Sequence, residues 1–423
     1  MNEDKKLIRV LLVGYIGGIN VGDEAIVGAV LNCLIDNFDV DVSIVSGQPE
    51  LTKNYLGNKH KVIKGVYPGA QIKPKQLYKL VKKVFNTDVV LFVGGGLLQD
   101  VHSSNLLTHC ALMALLGKLF STKVGALGIG VGPVKTDRGK ELSTLFLNAI
   151  DVMTVRDEGS SKYISTNFNS QSEKIVLGSD SIYLLSERFK NKKSTTISNR
   201  IGLCFRDWPG LDIAIVLNLV EDIILMGKTP VFFAYEKRDI KVYNLLNEKF
   251  PGKVEFSEPK NIAKTIGEFN KIDGLVSMRL HANLFAIMRN IPFVALSYDE
   301  KVKNVISEIG YSNKILPLSA DSNDILSKID IKNNNIDGFS ENIINNNNNN
   351  NFRNLESILD VGESRDLSYF EKLPIIMSIL AIINRVFVLP RIQSVSIFFA
   401  DKIGFLFPKS IKNKLRVFLG LEW

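Results

Sequence analysis

The chain of 423 residues carries a formal net charge of +8, with 45% hydrophobic and 23% charged side chains. That length is more than one ordinary core fills, so two domains and a tail are expected, and the composition excludes a disordered chain. The positive surplus favours a phosphorylated substrate or an anionic membrane; with neither an aromatic-basic RNA motif nor zinc-finger spacing, no nucleic-acid partner is expected.

Cys33, Cys110 and Cys204 stand singly in apolar surroundings. An odd, unspaced set predicts neither a disulfide framework nor a metal site, but small core residues in a reducing compartment. The N-terminal residues pass straight into a strand without a hydrophobic leader, so a cytoplasmic location is expected.

Residues 7–13 read as a buried strand, followed by a loop with Gly14, Gly17, Gly18 and Gly22 and then an apolar-periodic helix over 25–34. Glycine after a first strand lets backbone approach a ligand, and Asp23 is placed to cap or begin the helix. The spacing is not that of a dinucleotide fingerprint, and Asp23 and Glu24 would repel a pyrophosphate there. Residues 41–45 continue the alternation, whereas 47–76 show no clear element. A second buried strand over 89–93 runs into Gly94, Gly95 and Gly96, whose unhindered amides suit an anion-binding nest. Gln99 and Asp100 behind them can bond a sugar or orient a helix; the alternative is a glycine turn that only packs tightly. An apolar helix over 106–120 precedes a strand over 123–129 that ends at Gly128, Gly130 and Gly132. Both glycine-rich loops would open on one edge of a parallel sheet. A helix over 138–150, a strand ending in Arg156 and Asp157, a helix over 160–165 and a strand over 174–177 leading to Asp180 complete the first half. Arg156 with Asp157 also reads as a plain ion pair at a helix start.

Residues 186–199 are polar and basic and read as the interdomain linker. A second series then begins with a strand over 201–206 ending in Arg206. A helix over 212–226, a strand over 230–234 and helices over 239–250 and 261–269 lead to a strand over 274–278, a helix over 282–289 and a strand over 293–297. Arg279 and His281 fall where a strand ends and a helix begins, the edge where open α/β sheets bind ligands and first-turn N–H groups favour an anion. Taken singly, such a His reads as a satisfied core residue and such an Arg as surface. Beyond residue 330 the chain is Asn-rich, with an unbroken run of seven over 345–351. That composition buries little apolar surface and predicts a linker over 331–351. Residues 352–423 turn apolar and basic, with a net charge of +5 from Arg385 to Trp423. Asn384 and Arg385 interrupt the first apolar run, so residues 373–423 are expected to lie on a membrane surface and not to cross it, or else to form a helical cap on the core.

Several of these motifs together resemble the polysaccharide pyruvyl transferase family. They are Gly14-x-x-Gly17-x-x-Asn20-x-Gly22-Asp23-Glu24-Ala25, then Val155-Arg156-Asp157, then Met278-Arg279-Leu280-His281 with Pro292 and Ser297-Tyr298-Asp299-Glu300-Lys301. The family commonly has Pro after the residue matching Asp180, where this chain has Ser181. The resemblance implies an α/β fold of two doubly wound Rossmann-like domains of glycosyltransferase-B type with a C-terminal helical tail. Its acceptor side would be residues 1–185 and its donor side 200–330, with 352–423 as a basic amphipathic tail. It implies transfer of pyruvate from phosphoenolpyruvate, without a cofactor, onto a sugar of a cell-surface polysaccharide or its lipid-linked precursor, forming a ketal and releasing phosphate. Arginine matches both anionic groups of that donor, which points to Arg206 and Arg279, with Ser297 and Lys301 beside them. His281, next to Arg279, is the first choice for proton transfer and His102 the second. Gly14, Asn20, Asp23, Gly94, Gly95, Gly96, Gln99, Asp100, His102 and Gly130 would form acceptor or anion loops, and no metal is expected. The alternatives are a nucleotide-sugar-dependent glycosyltransferase of the same fold and an inactive membrane-docked scaffold.

Overall fold

The apolar runs read as buried strands fall into two parallel sheets. The computed structural model describes residues 7–18, 20–67, 74–101, 103–168, 172–190, 198–329, 339–361 and 367–386. The first half runs β1 (Ile8–Val13), α1 (Val21–Asn37), β2 (Val40–Ser46), α2 (Pro49–Leu56), β3 (Lys61–Lys64), α3 (Pro74–Phe85), β4 (Val89–Val93), β5 (Gly96–Leu98), α4 (Asn105–Leu119), β6 (Lys123–Val131), α5 (Asp137–Ala149), β7 (Val152–Val155), α6 (Glu158–Asn167) and β8 (Ile175–Leu177). The second runs α7 (Ser186–Lys190), β9 (Arg200–Cys204), α8 (Ile213–Leu225), β10 (Thr229–Phe233), α9 (Ile240–Lys249), β11 (Glu255–Ser257), α10 (Ile262–Phe269), β12 (Gly274–Ser277), α11 (Leu280–Arg289), β13 (Phe293–Ser297), α12 (Glu300–Glu308), β14 (Ile315–Pro317) and α13 (Ser322–Lys328). α14 (Phe339–Leu359) and α15 (Tyr369–Val386) follow.

The first sheet has the order β3-β2-β1-β4-β6-β7-β8, with β5 alongside β6, and the second the order β11-β10-β9-β12-β13-β14. Strand order reverses beside β1 in one and beside β9 in the other. At such switch points successive helices leave to opposite faces, and a crevice opens beyond the strand ends. Parallel strands covered on both faces should be apolar throughout. β4 is the case: Val89 to Val93 are all fully buried, with Val90 and Phe92 facing α4 and α5 while Val89, Leu91 and Val93 face α1.

The boundary between the halves is more shared than the linker reading implies. One face of α1 (Val21, Ala25, Ile26, Ala29) packs in the core of the second half, and the other (Val27, Val30, Leu31, Leu34) in the first. Ser186 and Phe189, expected in the linker, belong to α7, where Phe189 stacks on Phe285 of α11 at 5.4 Å. The low-legibility stretch 47–76 contains α2 and β3.

The Asn-rich segment differs most from expectation. α14 includes the whole run from Asn345 to Asn351. Ile344 before the run packs in the second-half core, and Leu355, Ile358 and Leu359 after it pack in the first-half core. Within the run Asn351 is fully buried, and its Nδ2 donates to the Asp180 carbonyl at 2.9 Å. The Asn347 carbonyl accepts from Ser179 Oγ at 3.3 Å. Asn is only a moderate helix former, so the flanking burial stabilises this helix more than the run does. The start of the expected membrane surface is likewise a cap: Ile376, Ile379 and Ile382 of α15 are buried in the first-half core, whose α4 they cover. Residues 387–423 lie outside the described residues. Among the described residues no helix is long and apolar enough to cross a membrane.

Candidate functional site

The carboxyl-end loops of the two sheets meet face to face. Asn20 caps α1, its Oδ1 accepting from Gly22 N at 2.9 Å and Asp23 N at 3.4 Å. Of the two places expected for Asp23, capping the helix or beginning it, the structure gives the second: Asn20 makes the cap, Asp23 lies in the first turn, and its half-buried side chain accepts no hydrogen bond from a described residue. Across the cleft, Asn20 Nδ2 donates to Glu236 Oε1 at 2.8 Å and Val21 N to the Tyr235 carbonyl at 3.2 Å. His281 enters from α11 because Gly22 has no side chain: a methyl group there would stand 2.1 Å from His281 Nδ1. Gly95 makes the same allowance for Asp23, whose Oδ1 would lie 2.7 Å from a methyl on it. Burial raises the Asp23 pKa, Glu236 and Asp180 add to the rise, and His281 and Arg279 oppose it.

His281 Nε2 lies 3.5 Å from Asp180 Oδ2, and the Arg156 guanidinium reaches the same oxygen at 3.6 Å. Asp180 Oδ1 accepts from Ile182 N at 3.0 Å. Burial disfavours the Asp180 charge, but His281 and Arg156 outweigh it and hold the carboxyl below its usual value. Arg156 donates to Asp157 at 3.0 Å, and Asp157 caps α6 through Ser160 N at 2.7 Å. This is the ion pair at a helix start, but it also anchors Asp180 opposite His281. The sequence undervalued Asp180 because of Ser181; its position after the last strand of the first sheet was the available signal.

Arg279 corrects an expectation. Its Nη2 sits 2.6 and 2.7 Å from the two oxygens of fully buried Asp239, and its Nη1 is 2.8 Å from Glu236 Oε1. The fork expected on a donor anion is thus occupied by two carboxylates, with only Nε unpartnered. Arg279 orders the β10 edge, where Asp239 also accepts from Tyr235 N at 3.1 Å and Glu236 N at 2.9 Å. Glu236 and Asp239 carry no sequence signal beyond lying after a strand.

Arg206 is different. Cys204 pairs with Ser277, so Arg206 and Arg279 follow neighbouring strands at the same level. The Arg206 guanidinium lies 4.8 Å from the Trp208 ring centre and 5.3 Å from that of Tyr298, donates to Tyr298 Oη at 3.0 Å, and leaves Nε unpartnered. It is 7% exposed, and no described carboxylate pairs with it. Lys301, in the first turn of α12, reaches across to Gly96, where its Nζ would be 3.3 Å from a methyl. Burial lowers its pKa, and Arg156 lowers it further, against Asp299, Asp23 and Asp157. Ser297 turns inward, its Oγ donating to the Asp299 carbonyl at 3.2 Å.

The glycine loops are partly structural. Gly14 packs against the Val93 carbonyl, Gly94 takes a φ of 104°, and Gly130 N donates to the Gly95 carbonyl at 2.9 Å beneath Arg156. Gln99 accepts from Val101 N at 3.1 Å. Asp100, expected to bond a sugar or orient a helix, does the second: it accepts from Lys135 N at 2.6 Å and Thr136 N at 2.9 Å, ahead of α5. Burial opposes its charge, yet those bonds and the Thr136 hydroxyl keep its pKa low. His102 lies outside the described residues. Among the described residues no group of three or more His, Cys, Asp or Glu side chains is arranged to hold a metal ion.

Two Rossmann-like sheets with facing switch points also occur in solved enzymes. The UDP-GlcNAc 2-epimerase of Methanocaldococcus jannaschii superposes with a TM-score of 0.57 at 14% identity, covering 84% of this chain and 100% of that one. A glycosyltransferase of Rickettsia africae gives 0.56 at 14% identity, covering 85% and 100%. At such identity the likeness is one of fold, and that fold is the glycosyltransferase-B type. The sequence is more specific: residues 20–300 match the polysaccharide pyruvyl transferase family. The chain belongs to that family of enzymes. The amylovoran biosynthesis protein AmsJ of Erwinia amylovora is 22% identical over 367 residues, covering 72% of this chain and 86% of that protein.

Proposed function

We propose that the chain transfers pyruvate from phosphoenolpyruvate to two hydroxyls of a glycan acceptor, forming a cyclic ketal and releasing phosphate. Arg206 carries this reading. A buried guanidinium lying against two rings, with no carboxylate of the described residues beside it, is costly unless a ligand supplies the counter-charge, and phosphoenolpyruvate has a carboxylate and a phosphate to supply it. The planar fork of Arg206 suits one and the point charge of Lys301 the other. One acceptor hydroxyl adds to the enol carbon as the methylene carbon gains a proton. The bond to phosphate then breaks and the second hydroxyl adds to the same carbon. Of the two hydroxyl protons, one ends in the new methyl group and one leaves with phosphate. His281 accepts the attacking hydroxyl's proton at Nδ1, while Asp180 at Nε2 stabilises the charge that forms. Asp23, close enough to His281 for each to feel the other's charge, delivers a proton to the methylene carbon and takes in its place the one His281 has accepted.

On this reading the acceptor is a sugar of a cell-surface polysaccharide or its lipid-linked precursor. Residues 387–423, with six basic and two acidic side chains, supply contact with an anionic membrane. The test is to incubate purified protein with phosphoenolpyruvate and a lipid-linked or nucleotide-linked glycan. Phosphate release with a pyruvyl ketal in the acceptor's mass spectrum supports the proposal; hexose transfer from a nucleotide-sugar with no phosphoenolpyruvate consumed overturns it.

A further inference from the structure

A second cavity of about 310 Å³ lies on the other side of the Asn20–Glu236 hydrogen bond, between α2 and the loops after β10 and β11. It is at the lower end of the range for small-ligand pockets, about 300–1,000 Å³. Its wall carries three carboxylates (Glu24, Glu236, Glu258) against two lysines, and Lys260 already sits 3.3 Å from Glu258. With Glu236 already paired to Arg279 and Arg238, the wall keeps no surplus of positive charge to attract a phosphate or a second donor anion. It suits a neutral ligand rich in hydroxyls, which both donate to carboxylates and accept from the Asn54 amide and the Lys237 ammonium. Leu51 and Pro259 add apolar surface for the C–H faces of a sugar ring.

We infer that this cavity is the acceptor subsite, holding the neutral saccharide unit next to the one that receives the ketal. The inference rests on the pyruvyl transfer proposed above. Glu236 and Asn20 form the shared wall, so a sugar seated behind them presents its neighbour's hydroxyls beside Asp23 and His281. Binding in this subsite is made before and during reaction alike, so losing it should raise the acceptor KM and leave kcat and the donor KM in place.

Leu51 and Asn54 are exposed on α2 and belong to no part of the reacting centre. Leu51→Trp and Asn54→Trp fill the cavity, and Asn54→Ala shortens one contact. Either filling variant should raise the acceptor KM about tenfold or more with the phosphoenolpyruvate KM and Tm unchanged. Saturation-transfer NMR with neutral glucose-, galactose- and mannose-containing trisaccharides should show binding to wild type that is lost in Leu51→Trp. If a filling variant fails to fold, Asn54→Ala should still raise the acceptor KM, by a smaller factor. Normal acceptor KM and retained trisaccharide contacts in folded variants overturn the subsite while leaving pyruvyl transfer intact. Should wild type consume no phosphoenolpyruvate, the function reading has failed on its own, and the NMR comparison still decides the subsite: trisaccharide binding lost in Leu51→Trp upholds it, and its absence from wild type overturns it.

Discussion

Replacing Arg279 by alanine separates an arginine that binds donor from one that holds the site together. Three charge-assisted contacts at 2.6, 2.7 and 2.8 Å tie it to Asp239 and Glu236, and Asp239 is fully buried. Removing one partner of such a pair leaves buried charge behind and costs about 3–5 kcal/mol. Asp239 loses its charged partner and keeps only the Tyr235 and Glu236 amides, whereas Glu236 keeps Arg238 and Asn20, so a cost within that range is expected, a large part of the roughly 5–15 kcal/mol that stabilises a typical domain. Urea unfolding at neutral pH, followed by circular dichroism, reads this as a fall in the midpoint. Arg279→Lys should recover only part of the loss, because an ammonium cannot span both Asp239 oxygens and Glu236 together. A triple variant, Arg279→Met with Asp239→Asn and Glu236→Gln, should recover most of it, since no uncompensated charge remains. An Arg279→Ala protein with a wild-type midpoint and a large loss of phosphoenolpyruvate affinity would refute the reasoning and return the fork to the donor.

At Arg206, substitution by Ala should raise the phosphoenolpyruvate KM by about 10- to 100-fold, as losing a charge-assisted contact of about 1.5–3 kcal/mol implies, and Lys should not restore it because an ammonium has neither the planar fork nor its contact with the Trp208 and Tyr298 rings; steady-state kinetics decides. His281→Ala should depress kcat by about 10²- to 10⁴-fold, and full turnover would remove it from the mechanism. Lys301 is charged below its pKa, and burial sets that pKa below the ordinary lysine value. The donor KM should therefore start to rise at a lower alkaline pH than an exposed lysine would give, and Lys301→Arg should move that limb upward. Cutting the chain before α14 should leave an aggregating core, measured by light scattering, because Leu355, Ile358 and Leu359 are lost from the first-half core.

Most of the site's frame was legible because it depends on local order: strands of apolar run, glycine or a polar residue at the strand end, then helical period. That rule placed Arg206, Arg279 and His281 on one sheet edge and Asn20 and Asp23 on the facing one. It could not assign partners. Whether an arginine meets a substrate or a neighbour depends on residues distant in sequence, and Glu236 and Asp239 lie 43 and 40 positions from Arg279. The same limit hid Asp180, whose significance comes from His281, and α14, whose stability comes from apolar residues at its ends touching two cores. Composition averages over a segment, whereas burial is decided residue by residue.

The Asn run shows what that difference implies for variation in this chain. Read as sequence, seven identical residues look free to expand or contract. In α14 each inserted residue would turn everything after it by about 100° and advance it by about 1.5 Å. A single extra Asn swings Leu355, Ile358 and Leu359 off the first sheet if the register before the run is held, or Ile344 out of the second-half core if the register after it is held, although an Asn still stands opposite the Asp180 carbonyl in either case. Its length is therefore as constrained as that of any core helix, and slippage in this repeat would be felt in the two cores at its ends before it was felt at the surface.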